Sequence, residues 1–99
     1  MHLKFLYQYN GFAEECNDKE ILDAILLLAQ TEGIFTEPAG GVSISILQKM
    51  VEQGKIDKND KIVCYVTGNG LKATESIMQV LTKPTVYKPN INEISAVVQ

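Results

Sequence analysis

Hydrophobic residues are dense in the first half of the chain and predict a long helix there. Asn17 followed by Glu20 is the asparagine form of a capping box, which predicts a helix from about Asp18 to Gln30. Apolar residues occupy nearly every face of this helix, whereas a surface helix keeps a polar half. We therefore expect neighbouring elements to cover it on more than one side.

A second helix is predicted to begin at Glu37-Pro38, because proline suits a first helical position, where its missing N–H costs nothing. It should continue to about Gln53, where Gly54 supplies a left-handed residue that ends it. Near the amino terminus, the aromatic-rich stretch of residues 1–9 favours the tail of a helix.

Three stretches are predicted as strands, at residues 11–16, 33–35 and 61–66. The third is a continuous β-prone run without alternation, which is typical of a strand buried on both faces of a parallel sheet. After it we expect one short helix to Leu81, an extended piece over residues 84–89 and a last helical turn over residues 92–98.

The order of strands and helices predicts an α/β fold, a small three-layer unit with a short, mostly parallel sheet flanked by helices. The 99 residues form one predicted domain, 1–99, because the chain has the length of a single hydrophobic core and no linker divides it. Its 45% hydrophobic and 21% charged residues are typical of a globular chain.

Charge and composition exclude several function classes. The net charge is −3 and the basic residues are scattered singly, so nucleic acids and anionic membranes have little to bind. No apolar run approaches the ~20 residues of a spanning helix, and no signal sequence is recognisable, so we expect a cytoplasmic protein. Cys16 and Cys64 lack metal or redox spacing and are interpreted as buried thiols.

The sequence contains few of the residues from which conventional catalytic and metal sites are built. His2 is the only histidine and is expected to be solvated, so Ser-His and Cys-His nucleophile pairs are excluded. The acidic pairs, Glu14 with Glu15 and Asp57 with Asp60, are interpreted as solvated charge. We predict no metal site.

Two clusters of small residues lie where an α/β sheet would place a ligand, at residues 36–41 and 66–73. Gly40 and Gly41 in a first helical turn indicate close backbone approach, either by a ligand or by tight internal packing. The second cluster formally matches the dinucleotide fingerprint G-x-G-x-x-G/A, but residues 84–90 lack the acidic residue that it requires. A hairpin turn at Asn69-Gly70 is disfavoured, because the following residues are predicted to be helical.

Over about residues 10–75 the sequence resembles the threonine synthase family. Four blocks carry the resemblance in the order of that family: Asn10-Gly11-Phe12-Ala13-Glu14, Asp18-Lys19-Glu20-Ile21-Leu22, Glu32-Gly33-Ile34-Phe35-Thr36-Glu37-Pro38-Ala39-Gly40-Gly41-Val42 and Val66-Thr67-Gly68-Asn69-Gly70-Leu71-Lys72. The Glu-Pro-Ala-Gly core is shared with related dehydratases. The resemblance implies the large domain of a fold-type-II pyridoxal-phosphate enzyme, which converts O-phosphohomoserine and water to threonine and phosphate.

The resemblance also implies cofactor-binding residues. The residue matching Thr67 hydrogen-bonds the pyridine nitrogen through its hydroxyl, Glu37 would form part of the wall near the ring, and Gly68 would contact the cofactor. Gly40 and Gly41 would let the helix approach the ring closely. Lys72 matches a family position but is not the Schiff-base lysine.

The family's Schiff-base lysine and phosphate-binding loop belong to earlier parts of its chain and have no match here. We therefore expect a carboxy-terminal fragment that is inactive alone and does not bind pyridoxal phosphate tightly. The expected partner is the missing amino-terminal part of the enzyme or another copy of this chain in a homo-oligomer. The alternatives are half of a split enzyme and a non-catalytic interaction module.

Overall fold

The computed structural model describes residues 2–98, and its regular structure is almost entirely helical. The elements are α1 (His2–Gln8), α2 (Asp18–Glu32), α3 (Pro38–Glu52), a 3₁₀ turn (Gly70–Lys72), α4 (Glu75–Met78) and α5 (Ile91–Val98). The helices predicted near the amino terminus, after Asn17 and after Glu37 are therefore confirmed.

Helix α2 begins at the predicted Asp18 and continues two residues beyond the predicted Gln30, to Glu32. The Glu20 N–H donates to Asn17 Oδ1 over 2.9 Å, and Asn17 Nδ2 donates to Glu20 Oε1 over 3.0 Å. At the other end Gly33 adopts a left-handed conformation with φ 66°, and its N–H donates to the Ala29 carbonyl. These caps satisfy backbone groups that a helix end otherwise leaves without partners.

Helix α3 follows the prediction equally closely. Glu37 is its N-cap, Pro38 is its first residue, and the helix ends one residue before the predicted Gln53. Gly54 has φ 72°, a conformation that strains any residue with a Cβ. The prediction of a glycine stop is confirmed.

The α2–α3 pair contains most of the buried core. Ala24, Ile25 and Leu28 of α2 are buried on the face that packs against α3. A Cβ added to Gly41 would lie 2.7 Å from Ile25 Cγ1 and 2.9 Å from the Ile21 carbonyl oxygen. Only glycine allows this approach, so Gly41 is explained by packing between the two helices.

The predicted sheet is not confirmed. Within residues 2–98 no strand forms, and the only β-type pairing is an isolated antiparallel bridge between Thr36 and Asn69. The stretches predicted as strands at residues 11–16 and 33–35 are irregular. A strand is stabilised by hydrogen bonds to a neighbouring strand, and the described chain supplies none.

Residues 61–67, which we call the open segment, differ most from the prediction. Val63 and Tyr65 are 80% and 77% exposed, while Cys64 and Val66 are half-buried. This alternation is typical of extended chain with one covered face. The prediction that this segment is buried on both faces is wrong for the described chain. Within the described residues, no backbone hydrogen bond involves the open segment.

The chain after the open segment is only loosely packed. The single helix predicted up to Leu81 is divided into the 3₁₀ turn and α4, and Ile77 of α4 is buried. Residues 78–98 are exposed, including all of α5. The radius of gyration is 18.4 Å, whereas a compact domain of 100 residues has about 13 Å. The molecule as a whole is therefore more extended than a compact domain of this length.

The remaining physical predictions have mixed outcomes. Cys16 and Cys64 are free thiols and only half-buried, so the expectation of buried cysteines is confirmed in part. His2 is exposed, as predicted. No helix in the described part of the chain is both long and apolar enough to cross a membrane.

Candidate functional site

The two small-residue clusters meet in space, although they are far apart in sequence. Thr36 bridges Asn69, and the Glu37 N–H donates to the Gly68 carbonyl over 3.1 Å. We call this pairing of residues 35–37 with residues 68–70 the junction. It joins the start of α3 to the end of the open segment and is the structural basis of the candidate site.

Gly70 shows how tightly the junction is packed. Its N–H donates to the Phe35 carbonyl over 3.0 Å, and the Phe35 ring occupies the space where a Cβ of Gly70 would lie. Gly70 is fully covered as a result. A side chain at this position would push the two segments apart.

The residues predicted to contact the cofactor are neighbours at the junction. A Cβ on Gly68 would overlap the Glu37 carboxylate, so the Glu37 side chain lies directly on the Gly68 backbone. Thr67 precedes Gly68 and is exposed. The structure thus brings Glu37 and Gly68 into contact, and Thr67 is attached to that contact through one peptide bond.

Thr36 is a residue whose part in this site the sequence did not reveal. It is 1% exposed, and its Oγ1 lies 3.1 Å from the Gly68 carbonyl oxygen and 3.2 Å from the Glu37 carbonyl oxygen. A Cβ on Gly40 would overlap the Thr36 hydroxyl. The available signal was a threonine four residues before a helical glycine, which does not distinguish a buried hydroxyl from an exposed one.

Internal packing accounts for both glycines at the start of α3. Gly40 makes room for Thr36, and Gly41 makes room for α2. Of the two explanations that the sequence left open, packing is the one for which the structure supplies contacts.

In the glycine loop after the open segment, the N–H groups of residues 70–73 are bonded within the chain. Gly70 N–H donates to Phe35, Leu71 N–H donates to Asn69 Oδ1 over 2.9 Å, and the N–H groups of residues 72 and 73 donate to the carbonyls of Asn69 and Gly70. A phosphate-binding loop must instead aim its N–H groups at the anion. This geometry agrees with the rejection of a dinucleotide site.

The start of α3 is also poorly suited to an anion. Pro38 has no N–H, and the N–H groups of Gly40 and Gly41 both donate to the Glu37 carbonyl. The Glu37 carboxylate lies close by and would repel a phosphate. Neither small-residue cluster is arranged to hold a phosphate group.

Most of the ion pairs lie away from the junction, at the opposite end of α3. Lys49 Nζ lies 2.7 Å from Glu20 Oε2, and the hydrogen bond with Glu20 raises the pKa of Lys49. The Glu15 N–H and then the Gln53 amide hydrogen-bond Glu14 and lower its pKa. These contacts anchor residues 14–20 to α3 and take no part in the site.

No group of three or more metal-ligating side chains occurs within residues 2–98. Asp57 and Asp60 are exposed, and Asp60 Oδ2 accepts the Asp57 N–H over 2.8 Å. That contact is an ordinary turn.

Comparison with known proteins identifies the family to which the junction belongs. Residues 1–68 match the family described as pyridoxal-phosphate dependent enzyme. A threonine synthase from Methanocaldococcus jannaschii is 38% identical over 97 residues, which are 98% of this chain and 24% of that protein. A threonine synthase from Halalkalibacterium halodurans is 44% identical over 81 residues, which are 82% of this chain and 23% of that protein.

A third relative, a threonine synthase from Bacillus sp. (strain ULM1), is 48% identical over 65 residues, or 66% of this chain and 18% of that protein. This chain therefore spans about a quarter or less of the length of the curated relatives it matches. The match of residues 1–68 includes the start of α3 and extends to Gly68 of the junction. The chain belongs to the pyridoxal-phosphate dependent enzyme family.

Proposed function

We propose that this chain is the carboxy-terminal segment of a threonine synthase, which converts O-phosphohomoserine and water to threonine and phosphate. The observation that carries the proposal is the junction, which holds Glu37 against Gly68 beside Thr67. Two sequence blocks that resemble the same family thereby form one surface. The relatives named threonine synthase support the choice of reaction.

The residues at the junction fit one end of pyridoxal phosphate. Thr67 offers an exposed hydroxyl of the kind that can bond a pyridine nitrogen, and the Glu37 side chain covers the adjacent Gly68. The N–H groups of residues 70–73 in the glycine loop already have partners and do not offer themselves to the phosphate end of the cofactor. In this proposal, residues outside the described chain hold the phosphate.

When bound, pyridoxal phosphate supplies the electron sink for the reaction. The part of Thr67 is to donate a hydrogen bond from its hydroxyl to the ring nitrogen. A neutral hydroxyl does not hold that nitrogen protonated as a carboxylate would, and so it moderates the electron demand of the ring. Elimination and replacement are then favoured over transamination.

Glu37 and Gly68 shape the wall beside the ring. Since the Glu37 side chain lies on Gly68, this wall is made of side chain on one side and bare backbone on the other. The arrangement orients a flat ring and excludes water from its edge. Lys72, in the exposed 3₁₀ turn, is given no covalent part.

We further propose that the chain is not catalytic alone, that it acts in the cytoplasm, and that its partner is the amino-terminal part of the enzyme. The open segment supports the choice of partner, because unpaired backbone groups of extended chain are stabilised by neighbouring strands. Another copy of the chain in a homo-oligomer is the second candidate for this position.

A non-catalytic interaction module is the competing function. The exposure of Val63 and Tyr65, at 80% and 77%, is the observation that favours it. A module and an enzyme segment differ in what binds this face. The first binds an unrelated protein, and the second binds the rest of a threonine synthase.

The deciding experiment mixes the purified chain with a polypeptide carrying the remaining part of a threonine synthase and measures phosphate release from O-phosphohomoserine. We expect release from the mixture and none from the chain alone. Thr67→Val should lower kcat/KM of the mixture roughly tenfold, as expected for loss of one hydrogen bond in the reacting complex. Thr67→Ser, which keeps the hydroxyl, is the matched control.

Two results would contradict the proposal. The first is covalent attachment of pyridoxal phosphate to a lysine of the chain alone, detected by mass spectrometry after borohydride reduction. The second is failure of the chain to bind the rest of the enzyme under conditions where it binds an unrelated protein, which would favour the interaction module.

A further inference from the structure

Thr36 is the largest fully buried side chain among residues 2–98, and it is polar. Burying a hydroxyl is unfavourable unless it is hydrogen-bonded, and valine would fill the same space without that cost. The Thr36 hydroxyl has two acceptors within reach, the carbonyl oxygens of Gly68 at 3.1 Å and Glu37 at 3.2 Å. The hydroxyl therefore makes a bond that valine could not.

The Gly68 carbonyl is the more informative acceptor, because it lies 32 positions away in the sequence. The same oxygen also accepts the Glu37 N–H over 3.1 Å, and a carbonyl oxygen can accept a second bond, from the Thr36 hydroxyl. The Glu37 side chain lies on the α-carbon of Gly68. Gly68 is thus contacted at its carbonyl by the Glu37 N–H and the Thr36 hydroxyl, and at its α-carbon by the Glu37 side chain.

The surrounding sequence makes room for this hydroxyl. A Cβ on Gly40 would overlap Thr36 Oγ1, so the first turn of α3 accommodates the hydroxyl through a residue that lacks a side chain. Glycine inside a helix is unfavourable compared with alanine. The unfavourable Gly40 therefore lies where the Thr36 hydroxyl reaches Gly68.

We propose that Thr36 is a positioning residue for Thr67, an inference that rests on the function proposed above. The Thr36 hydroxyl fixes the Gly68 carbonyl, and this fixes the backbone from which the adjacent Thr67 side chain projects towards the cofactor ring. Thr36 is buried and does not touch the ring. Its effect on the cofactor is transmitted through Gly68.

The test compares Thr36→Val, which keeps the shape and loses the hydroxyl, with Thr36→Ser, which keeps the hydroxyl. Thr31→Val is the matched control, since the Thr31 hydroxyl donates to the Leu27 carbonyl over 2.7 Å on an exposed turn of α2. Amide hydrogen exchange is measured by NMR at Glu37 and Gly70, whose N–H groups donate across the junction.

For Thr36→Val we expect protection at Glu37 and Gly70 to fall roughly fivefold, as for one lost hydrogen bond, with α2 and α3 unchanged. The order parameter of the Gly68 and Thr67 amides should fall as well. Thr36→Ser should restore all these values to near those of the unchanged chain. Thr31→Val should leave them unaltered.

Three results would overturn the inference. They are unchanged exchange at both amides in Thr36→Val, an equal loss in Thr36→Ser, and an equal loss throughout α2 and α3. If Thr36→Val does not fold, the inference can still be tested on the unchanged chain. Its Thr36 hydroxyl proton should exchange slowly and give a resolved signal, and a rapidly exchanging proton contradicts the bond.

These readouts do not depend on cofactor or activity. If the enzyme mixture releases no phosphate but Thr36→Val still increases amide exchange at Glu37 and Gly70, only the proposed reaction is contradicted. If the mixture is active but Thr36→Val leaves amide exchange unchanged, only the positioning role of Thr36 is contradicted.

Discussion

The α2–α3 pair and the open segment are both rich in apolar residues, yet only the first is complete within this chain. Helix α2 satisfies its backbone internally, has caps at both ends and buries Ala24, Ile25 and Leu28 against α3. The open segment leaves Val63 and Tyr65 exposed and has no backbone hydrogen bond within the described residues.

The difference follows from where each element finds its hydrogen-bond partners. A helix makes its bonds four residues away in the same chain, whereas a strand needs a second strand. The α2–α3 pair needed only one neighbouring helix, which the sequence places directly after it. The described chain supplies no neighbouring strand for the open segment, and its apolar residues Val63 and Tyr65 remain exposed.

The largest effect is expected from a substitution in the buried core between α2 and α3. Ile25 is 2% exposed, and we expect Ile25→Ala to lower the free energy of unfolding by about 3 kcal/mol, through lost burial and a cavity. Urea unfolding followed by circular dichroism measures the change. Ile34→Ala, at a position 47% exposed, is the matched control and should cost much less.

Equal costs for the two variants would mean that α2 and α3 do not form the stable part of the molecule. The contrast between the two regions would then lose its basis.

A second, smaller test concerns the contacts that anchor residues 14–20 to α3. Bonds from the Glu15 N–H and then the Gln53 amide lower the pKa of Glu14 below its reference value of 4.5. A lowered pKa in the folded chain adds stability above about pH 4.5, and this is lost as the pH falls through the folded pKa. Glu14→Gln should remove this part of the pH dependence, measured by urea unfolding at a series of pH values.

Two glutamines, Gln48 in α3 and Gln53 directly after it, provide a control for the pH experiment. Gln53→Ala should weaken the same pH dependence, because its amide bonds Glu14 over 3.1 Å, while Gln48→Ala should not. An identical pH profile for Glu14→Gln and the unchanged chain would show that this contact does not stabilise the fold.

The smallest expected effect is at the open segment. Val63→Thr should change the free energy of unfolding by less than about 0.5 kcal/mol, because the side chain is exposed in the isolated chain. Val66→Thr, on the half-buried face, should cost more. A large loss of stability in Val63→Thr, measured by the same unfolding assay, would show that this face is covered in solution.

The sequence predicted the helices well because their signals are local. Asn17 with Glu20, Pro38 at a first helical position and Gly54 after the last turn each determine a boundary through contacts within a few residues. The sheet prediction depended on a β-prone run at residues 61–66. That run correctly indicated extended chain but could not indicate which polypeptide would pair with it.

The site was predictable only where the sequence blocks resemble those of a known family. Glu37 and Gly68 were singled out from their sequence blocks, and the structure brings them into contact. Thr36 was not, because its importance depends on a carbonyl 32 positions away. Contacts of this kind are invisible in a single sequence. Whether Thr67 bonds the cofactor stays a prediction.

The junction also has a consequence for the order of folding. Thr36 and Asn69 close a loop that contains all of α3, and closing a loop of this length costs about 3 kcal/mol of chain entropy. Short-range helix contacts form faster than such long-range ones. We therefore expect the α2–α3 hairpin to form first and the junction to form after it.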